Sequence, residues 1–147
     1  MRMDDPTSVI QHVITLWNAR DRQGFTLCVD EQVEIEGPGG LRLSGIAGWG
    51  AFWDMWNEAF PDNAVQASAF GDGEQAAEEG RFVGTHTGTL HAPGGDLPPT
   101  GRRVDVPYAL IFRVTKGKVT FVRLYFDQVE LLTQLGLIPQ PAGSAAP

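Results

Sequence analysis

Residues 104–127, VDVPYALIFRVTKGKVTFVRLYFD, hold two runs rich in β-branched and aromatic residues joined by Lys116-Gly117. Runs of this kind on either side of a short glycine-containing turn read as an antiparallel hairpin. Strand side chains alternate between faces, so Val106, Tyr108, Leu110 and Phe112 share one face, opposite the Asp105 set. On the second run Thr120, Val122, Leu124 and Phe126 form the more apolar face, which leaves Asp127 on the other. The two apolar faces together read as one wall of a pocket. Asp127, with Glu130 three residues later, has the spacing of a capping box for a final helix ending at Gly136.

Upstream of this hairpin, beyond Asn63, two more strand-like segments are separated by Gly71-Asp72-Gly73, and a long loop from His91 to Gly101 leads into the quoted stretch. Four consecutive antiparallel strands are expected. The first sixty residues read differently. Asp5-Pro6 is an N-cap followed by proline at the first helical position, and Val9, Ile10, Val13, Ile14 and Trp17 then recur at helical spacing. A second short helical piece after Asp21 carries Phe25 and Cys28 inward. Val33 to Glu36 alternate as a strand stopped by Gly37-Pro38-Gly39-Gly40, and Leu41 to Ser44 form a brief strand. Ser44 then caps a third helix, whose Ile46, Trp49, Phe52, Trp53 and Trp56 form one apolar stripe. Helices first and a bent antiparallel sheet second is an α+β arrangement, with the aromatic helix face set into the concave side of the sheet.

The chain has 147 residues, the common size of one domain, and no internal repeat or change of composition divides it. The expected organisation is a single domain over residues 1–138 and a Pro/Ala/Gly/Ser-rich disordered tail over 139–147. Apolar residues make up 42% of the chain, with four Trp and eight Phe, too many for a disordered protein. No apolar run approaches the roughly 20 residues that cross a bilayer. The segment from Met1 to Pro6 has no basic and apolar leader pattern, and the lone Cys28 has no internal disulfide partner, which together lead to the expectation of a cytoplasmic protein. A formal charge of −7 with scattered Lys and Arg argues against nucleic acid and favours a small molecule as partner. No phosphate-binding glycine loop, metal-spaced His/Cys set or Ser/His/Asp constellation is present, so neither cofactor nor metal is expected.

Five fragments between Gly80 and Gly136 carry a resemblance: Gly84-Thr85-His86-Thr87-Gly88, Pro98-Pro99-Thr100-Gly101-Arg102, Lys116-Gly117-Lys118-Val119, Tyr125-Phe126-Asp127 and Gln134-Leu135-Gly136. In their order and gaps they resemble the SnoaL-like polyketide cyclase or ester cyclase branch of the ketosteroid-isomerase-like (nuclear transport factor 2-like) superfamily of bacterial and related proteins. The resemblance implies a cystatin-like half-barrel: a cone-shaped curved antiparallel sheet on three N-terminal helices, with a short C-terminal helix. It also implies a homodimer paired through its sheets, for which outward Phe121, Arg123 and Tyr125 offer a contact face. Characterised cyclases of the family are similar in using an acid/base aspartate on the last strand and a histidine on the strand before it, without metal or cofactor. Carried over from Lys116-Gly117-Lys118, those positions fall on Leu124 and Leu110. Leucine has no ionisable group, so neither residue acts as a general base. Asp127, at the end of its motif, is explained by its capping role.

The resemblance turns attention to Glu34 and Glu36, which share one face of the first strand while Val33 and Ile35 share the other. If the glutamate face is the inner one, two carboxylates one pleat apart in a dry cavity have their ionisations pushed apart, giving an acid and a base. Binary patterning favours the opposite arrangement, with Val33 and Ile35 inside. The catalytic set expected here is Glu34 and Glu36 for proton transfer, Tyr108 for polarising a carbonyl, and His86 as a shuttle or a structural hydrogen-bonding group. On the strand before His86, either Glu79, Arg81, Val83 and Thr85 point inward or Gly80, Phe82, Gly84 and His86 do. Trp17, Trp49, Trp53, Trp56, Phe60, Leu110, Phe112, Val122, Leu124 and Phe126 are expected as the wall that binds substrate. Three functions fit: cyclase or isomerase chemistry on an apolar metabolite, noncatalytic binding of such a metabolite, and epoxide opening.

Overall fold

The computed structural model describes residues 5–139. Asp5 caps helix α1 (Pro6–Asn18), accepting the Ser8 N–H at 3.3 Å, and Asp21 caps α2 (Arg22–Thr26), accepting from Gly24 at 2.8 Å. Strand β1 (Val29–Gly37), a single 3-10 turn and strand β2 (Leu41–Ser44) lead to α3 (Gly45–Ala59). Ser44 stands at the N-cap of α3, but its side chain makes no capping bond. Strands β3 (Ala64–Asp72) and β4 (Gln75–Thr85) form a hairpin in which Asp72 pairs with Gln75, so the turn is Gly73-Glu74 and the expected separator is partly absorbed into β3.

The stretch expected as a loop from His91 to Gly101 contains a small hairpin, β5 (Leu90–Ala92) and β6 (Gly95–Leu97). Its three-residue strands are too short for alternation to announce them. Strands β7 (Arg103–Thr115) and β8 (Lys118–Phe126) follow, joined as expected at Lys116-Gly117, where both residues have positive φ, 52° and 77°. Asp127 caps α4 (Gln128–Gln134) by accepting the Glu130 N–H at 3.1 Å, and Gly136 ends it at φ +75°.

The main sheet runs β2-β1-β8-β7-β4-β3, antiparallel except for the parallel pair β1–β8. Helix α1 lies against β3 and β4, and α3 lies against β1 and β2, so the hollow of the curved sheet is roofed by both. At Gly80 a side chain is excluded, because an added Cβ would sit 2.3 Å from the Gln66 carbonyl oxygen of β3. The roof is aromatic: Trp49 stacks on Phe25 at 4.2 Å between ring centres, and Trp17, Phe52 and Trp53 surround them. Ile46, placed on the same stripe by spacing, lies one turn too early and stays 39% exposed. Residues 140–147 of the expected tail lie outside the described residues. Among the described residues no helix is long and apolar enough to cross a membrane.

Candidate active site

Between the helical roof and the sheet lies a cavity of about 70 Å3. The inner faces of β4, β7 and β8 form its floor: Val106, Tyr108, Leu110 and Phe112 face inward on β7 and Val122, Leu124 and Phe126 on β8, as the alternation predicts. Thr120, expected on the same face, does not line the cavity, because the register shifts beside it and Val119 is buried instead. On β4 the even-numbered set faces inward, with Ala76, Glu78, Phe82 and Gly84 buried, as is His86 just past its end, while Glu79 is exposed. Arg81 turns outward and pairs with Asp105 at 2.7 Å.

This register puts one carboxyl into the cavity, that of Glu78, whose residue is only 4% exposed. It was not among the expected catalytic residues. Glu78 pairs across the sheet with Leu110, and Leu110 with Leu124, so the three occupy one row over β4, β7 and β8. The floor thus keeps a carboxyl in the row of the two leucines, displaced by two strands from Leu124. Tyr108, one pleat further along β7, donates its hydroxyl to Glu78 Oε2 at 2.5 Å. Glu78 and Tyr108 are the two ionisable residues among those lining the cavity.

Burial pushes the Glu78 carboxyl up to about 7, with the Tyr108 hydrogen bond pulling the other way. The Tyr108 phenol is raised above its ordinary range, first by burial and then by the charge and hydrogen bond of Glu78. Near neutral pH the pair therefore exchanges one proton at the carboxyl, while the phenol stays protonated. That is the ionisation pattern of a general acid–base group beside a fixed hydrogen-bond donor.

The catalytic role expected of Glu34 and Glu36, which required their face to be the inner one, is overturned. Val33 and Ile35 take the core side at 0% and 1% exposure, Glu34 is exposed, and Glu36 lies on the outer face. There Arg123 donates to Glu36 at 3.0 Å and Arg42 lies 3.7 Å away. Burying two aliphatic side chains and leaving two carboxylates with cationic partners at the surface costs far less than the reverse.

His86 is also not in the cavity wall. It is fully buried behind Phe60, with ring centres 5.2 Å apart, and its Nδ1 accepts the Thr100 N–H at 3.2 Å. The His86 backbone donates to Arg102 and accepts from Gly101, so the residue ties the Thr85–Gly88 turn to the Pro98–Arg102 segment. Burial lowers its pKa and keeps the ring neutral. The flanking glycines have a packing reason: a Cβ on Gly88 would meet the Glu58 carbonyl oxygen at 1.9 Å. Of the aromatic wall, Trp17, Trp49, Trp56, Phe112 and Phe126 line the cavity. Trp53 and Phe60 do not: Trp53 is enclosed by Trp17 and Phe25, at 5.1 and 4.8 Å, and Phe60 by Phe82 and His86. No cluster of His, Cys, Asp and Glu suited to a metal occurs among the described residues.

A family model for SnoaL-like polyketide cyclases matches residues 7–135. Among curated proteins none matches. A structure from Jannaschia sp. CCS1, described as a SnoaL-like polyketide cyclase, superposes with a TM-score of 0.78 at 23% identity, covering 95% of this chain and 99% of that one. One from Pseudomonas putida KT2440, described as a polyketide cyclase, gives 0.78 at 22% identity over 88% of this chain and 97% of the other. An NTF2-like protein of unknown function from Burkholderia pseudomallei K96243 gives 0.75 at 15% identity over 92% and 98%. At these identities the likeness establishes the curved-sheet fold.

Proposed function

Because the chain belongs to the SnoaL-like polyketide cyclase family, we propose that it is a cofactor-independent acid–base enzyme acting on an apolar carbonyl metabolite, with Glu78 as the proton-transfer group and Tyr108 as its hydrogen-bonding partner. The observation that supports this reading is the buried Glu78–Tyr108 pair in an otherwise apolar cavity. Ionised Glu78 takes a proton from carbon next to a carbonyl, leaving an enolate. The newly neutral carboxyl pulls less strongly on the Tyr108 proton, and the phenol turns to the enolate oxygen, whose charge it stabilises in a dry site. Glu78 then returns its proton either to another carbon, which is isomerisation, or to the alkoxide formed when the enolate carbon bonds a second carbonyl, which is ring closure. No electrons are gained or lost overall.

The test needs only the first step. Incubated with 2-tetralone in D2O, the protein is expected to accelerate α-hydrogen exchange, followed by proton NMR. Glu78→Gln is expected to reduce that acceleration by about 100-fold or more, the scale of a general base. Exchange no faster than the protein-free control removes the enzymatic reading and leaves a binding protein for an apolar metabolite.

We also propose that two copies pair through the outer sheet face, where Phe121 lies under the Arg123 guanidinium at 5.0 Å and Tyr125 is 48% exposed. Light scattering on the wild type and on Phe121→Glu tests this, a dimer and a monomer being expected.

A further inference from the structure

A second space adjoins the cavity. Trp56, Leu124, Phe126 and Leu131 line both, so the two spaces share a wall. The outer space, about 280 Å3, lies between α4 and the β5–β6 hairpin. Ala92 and Leu97 of the hairpin and Leu132 of α4 give it apolar sides, and Gln128 and Asp96 are its polar groups. Asp96 is engaged by His91 Nδ1 at 2.8 Å.

We propose that this outer groove is a second subsite that takes the body of an elongated, uncharged ligand whose carbonyl end reaches Glu78; the inference rests on the proposed role of the Glu78–Tyr108 pair. Three observations carry it. The inner cavity is far smaller than the roughly 300 Å3 at which ligand pockets begin, whereas the two spaces together reach that range. Trp56, one of the four residues common to both walls, has its Nε1–H buried without an acceptor among the described residues, a group that an acceptor oxygen of a ligand would satisfy. Neither space is lined by Lys, Arg or His, so a carboxylate or phosphate on the ligand would find no cationic side chain in either wall to offset its lost hydration.

The probes are phenyl n-alkyl ketones from acetophenone to nonanophenone, with binding read by the fluorescence of the cavity tryptophans and α-exchange read by NMR. Once the chain passes Trp56, each added methylene is expected to tighten binding by about fourfold. A terminal carboxylate on the longest ketone is expected to abolish that gain. Ala92→Trp, which fills the groove, and Leu132→Glu, which charges it, are each expected to flatten the chain-length series while leaving acetophenone affinity and exchange unchanged. If acetophenone binds and exchanges but longer chains gain nothing in the wild type, or gain equally in both variants, the subsite is overturned and the role of Glu78 stands. If the chain-length gain is present and sensitive to both variants but no ketone exchanges, the groove stands and the role of Glu78 falls.

Discussion

The Tyr108 hydroxyl reaches the Glu78 carboxyl at 2.5 Å across two adjacent strands, one pleat off the row that Glu78 shares with Leu110 and Leu124. The contact joins the two ionisable groups of a cavity otherwise walled by hydrocarbon, and each shifts the other's ionisation. A hydrogen bond donated to a carboxylate favours the charged form, and burial opposes it.

Removing the donor should therefore raise the Glu78 pKa above its wild-type value. With the bond worth about 1.5–3 kcal/mol, Tyr108→Phe is expected to move the midpoint of the pH–exchange profile for 2-tetralone upward by about 1–2 pH units. An unmoved midpoint would separate the two residues.

Stability should carry the same signature. A carboxyl whose folded pKa lies above its unfolded value binds more protons in the native state, so stability falls as pH rises from about 4.5 to about 7 and is level above. The buried charge costs on the order of 3 kcal/mol above neutrality. Burial of His86 acts in the opposite sense, its lowered pKa making stability rise with pH below about 6.5. The comparison is thus between proteins that share His86: chemical denaturation at pH 5 and pH 8 is expected to show Glu78→Gln gaining on the wild type by a few kcal/mol at the higher pH.

His86 is expected to behave as a structural residue. In His86→Leu the Thr100 N–H loses its acceptor, at a cost of about 1–3 kcal/mol in denaturant unfolding. Ketone exchange per folded molecule should match the wild type. A loss of exchange with unchanged stability would return His86 to the chemistry.

Glu36→Gln removes one partner of an ion pair that is open to water, Arg123 being 43% exposed. Its effect on stability is expected within about 1 kcal/mol and on exchange none, since the side chain lies on the far side of the sheet from the cavity.

How much of this was legible in the sequence depended on how strongly each segment specified its face. The β7–β8 hairpin was readable because its alternating aromatic and aliphatic residues and its Lys116-Gly117 turn agree. Both helix caps at Asp5 and Asp127 were readable for the same reason, one residue type serving one local geometry. On strand β1 the resemblance and the residue pattern point to opposite faces, and the pattern decides: Val33 and Ile35 are buried. Strand β4 was ambiguous, because Gly80 and Gly84 carry no side chain to mark a face and both alternating sets mix polar with apolar residues. Yet the doublet Glu78-Glu79 held the signal that was missed: two adjacent glutamates on a strand put one carboxyl on each face, so whichever set turned inward, a glutamate was bound to enter the cavity. The inward set on β4 was itself fixed by long-range contacts, Phe82 against Trp56 and Phe60, and Gly84 against Phe60 and Asn63, which no local pattern encodes.

The titration of Glu78 itself decides most. With side-chain carboxyl carbons labelled with carbon-13, one glutamate signal is expected to titrate near pH 7 and to vanish in Glu78→Gln. If every glutamate in the wild type instead titrates around the ordinary value of about 4.3, the cavity holds a permanently charged carboxylate and no proton carrier poised near neutrality.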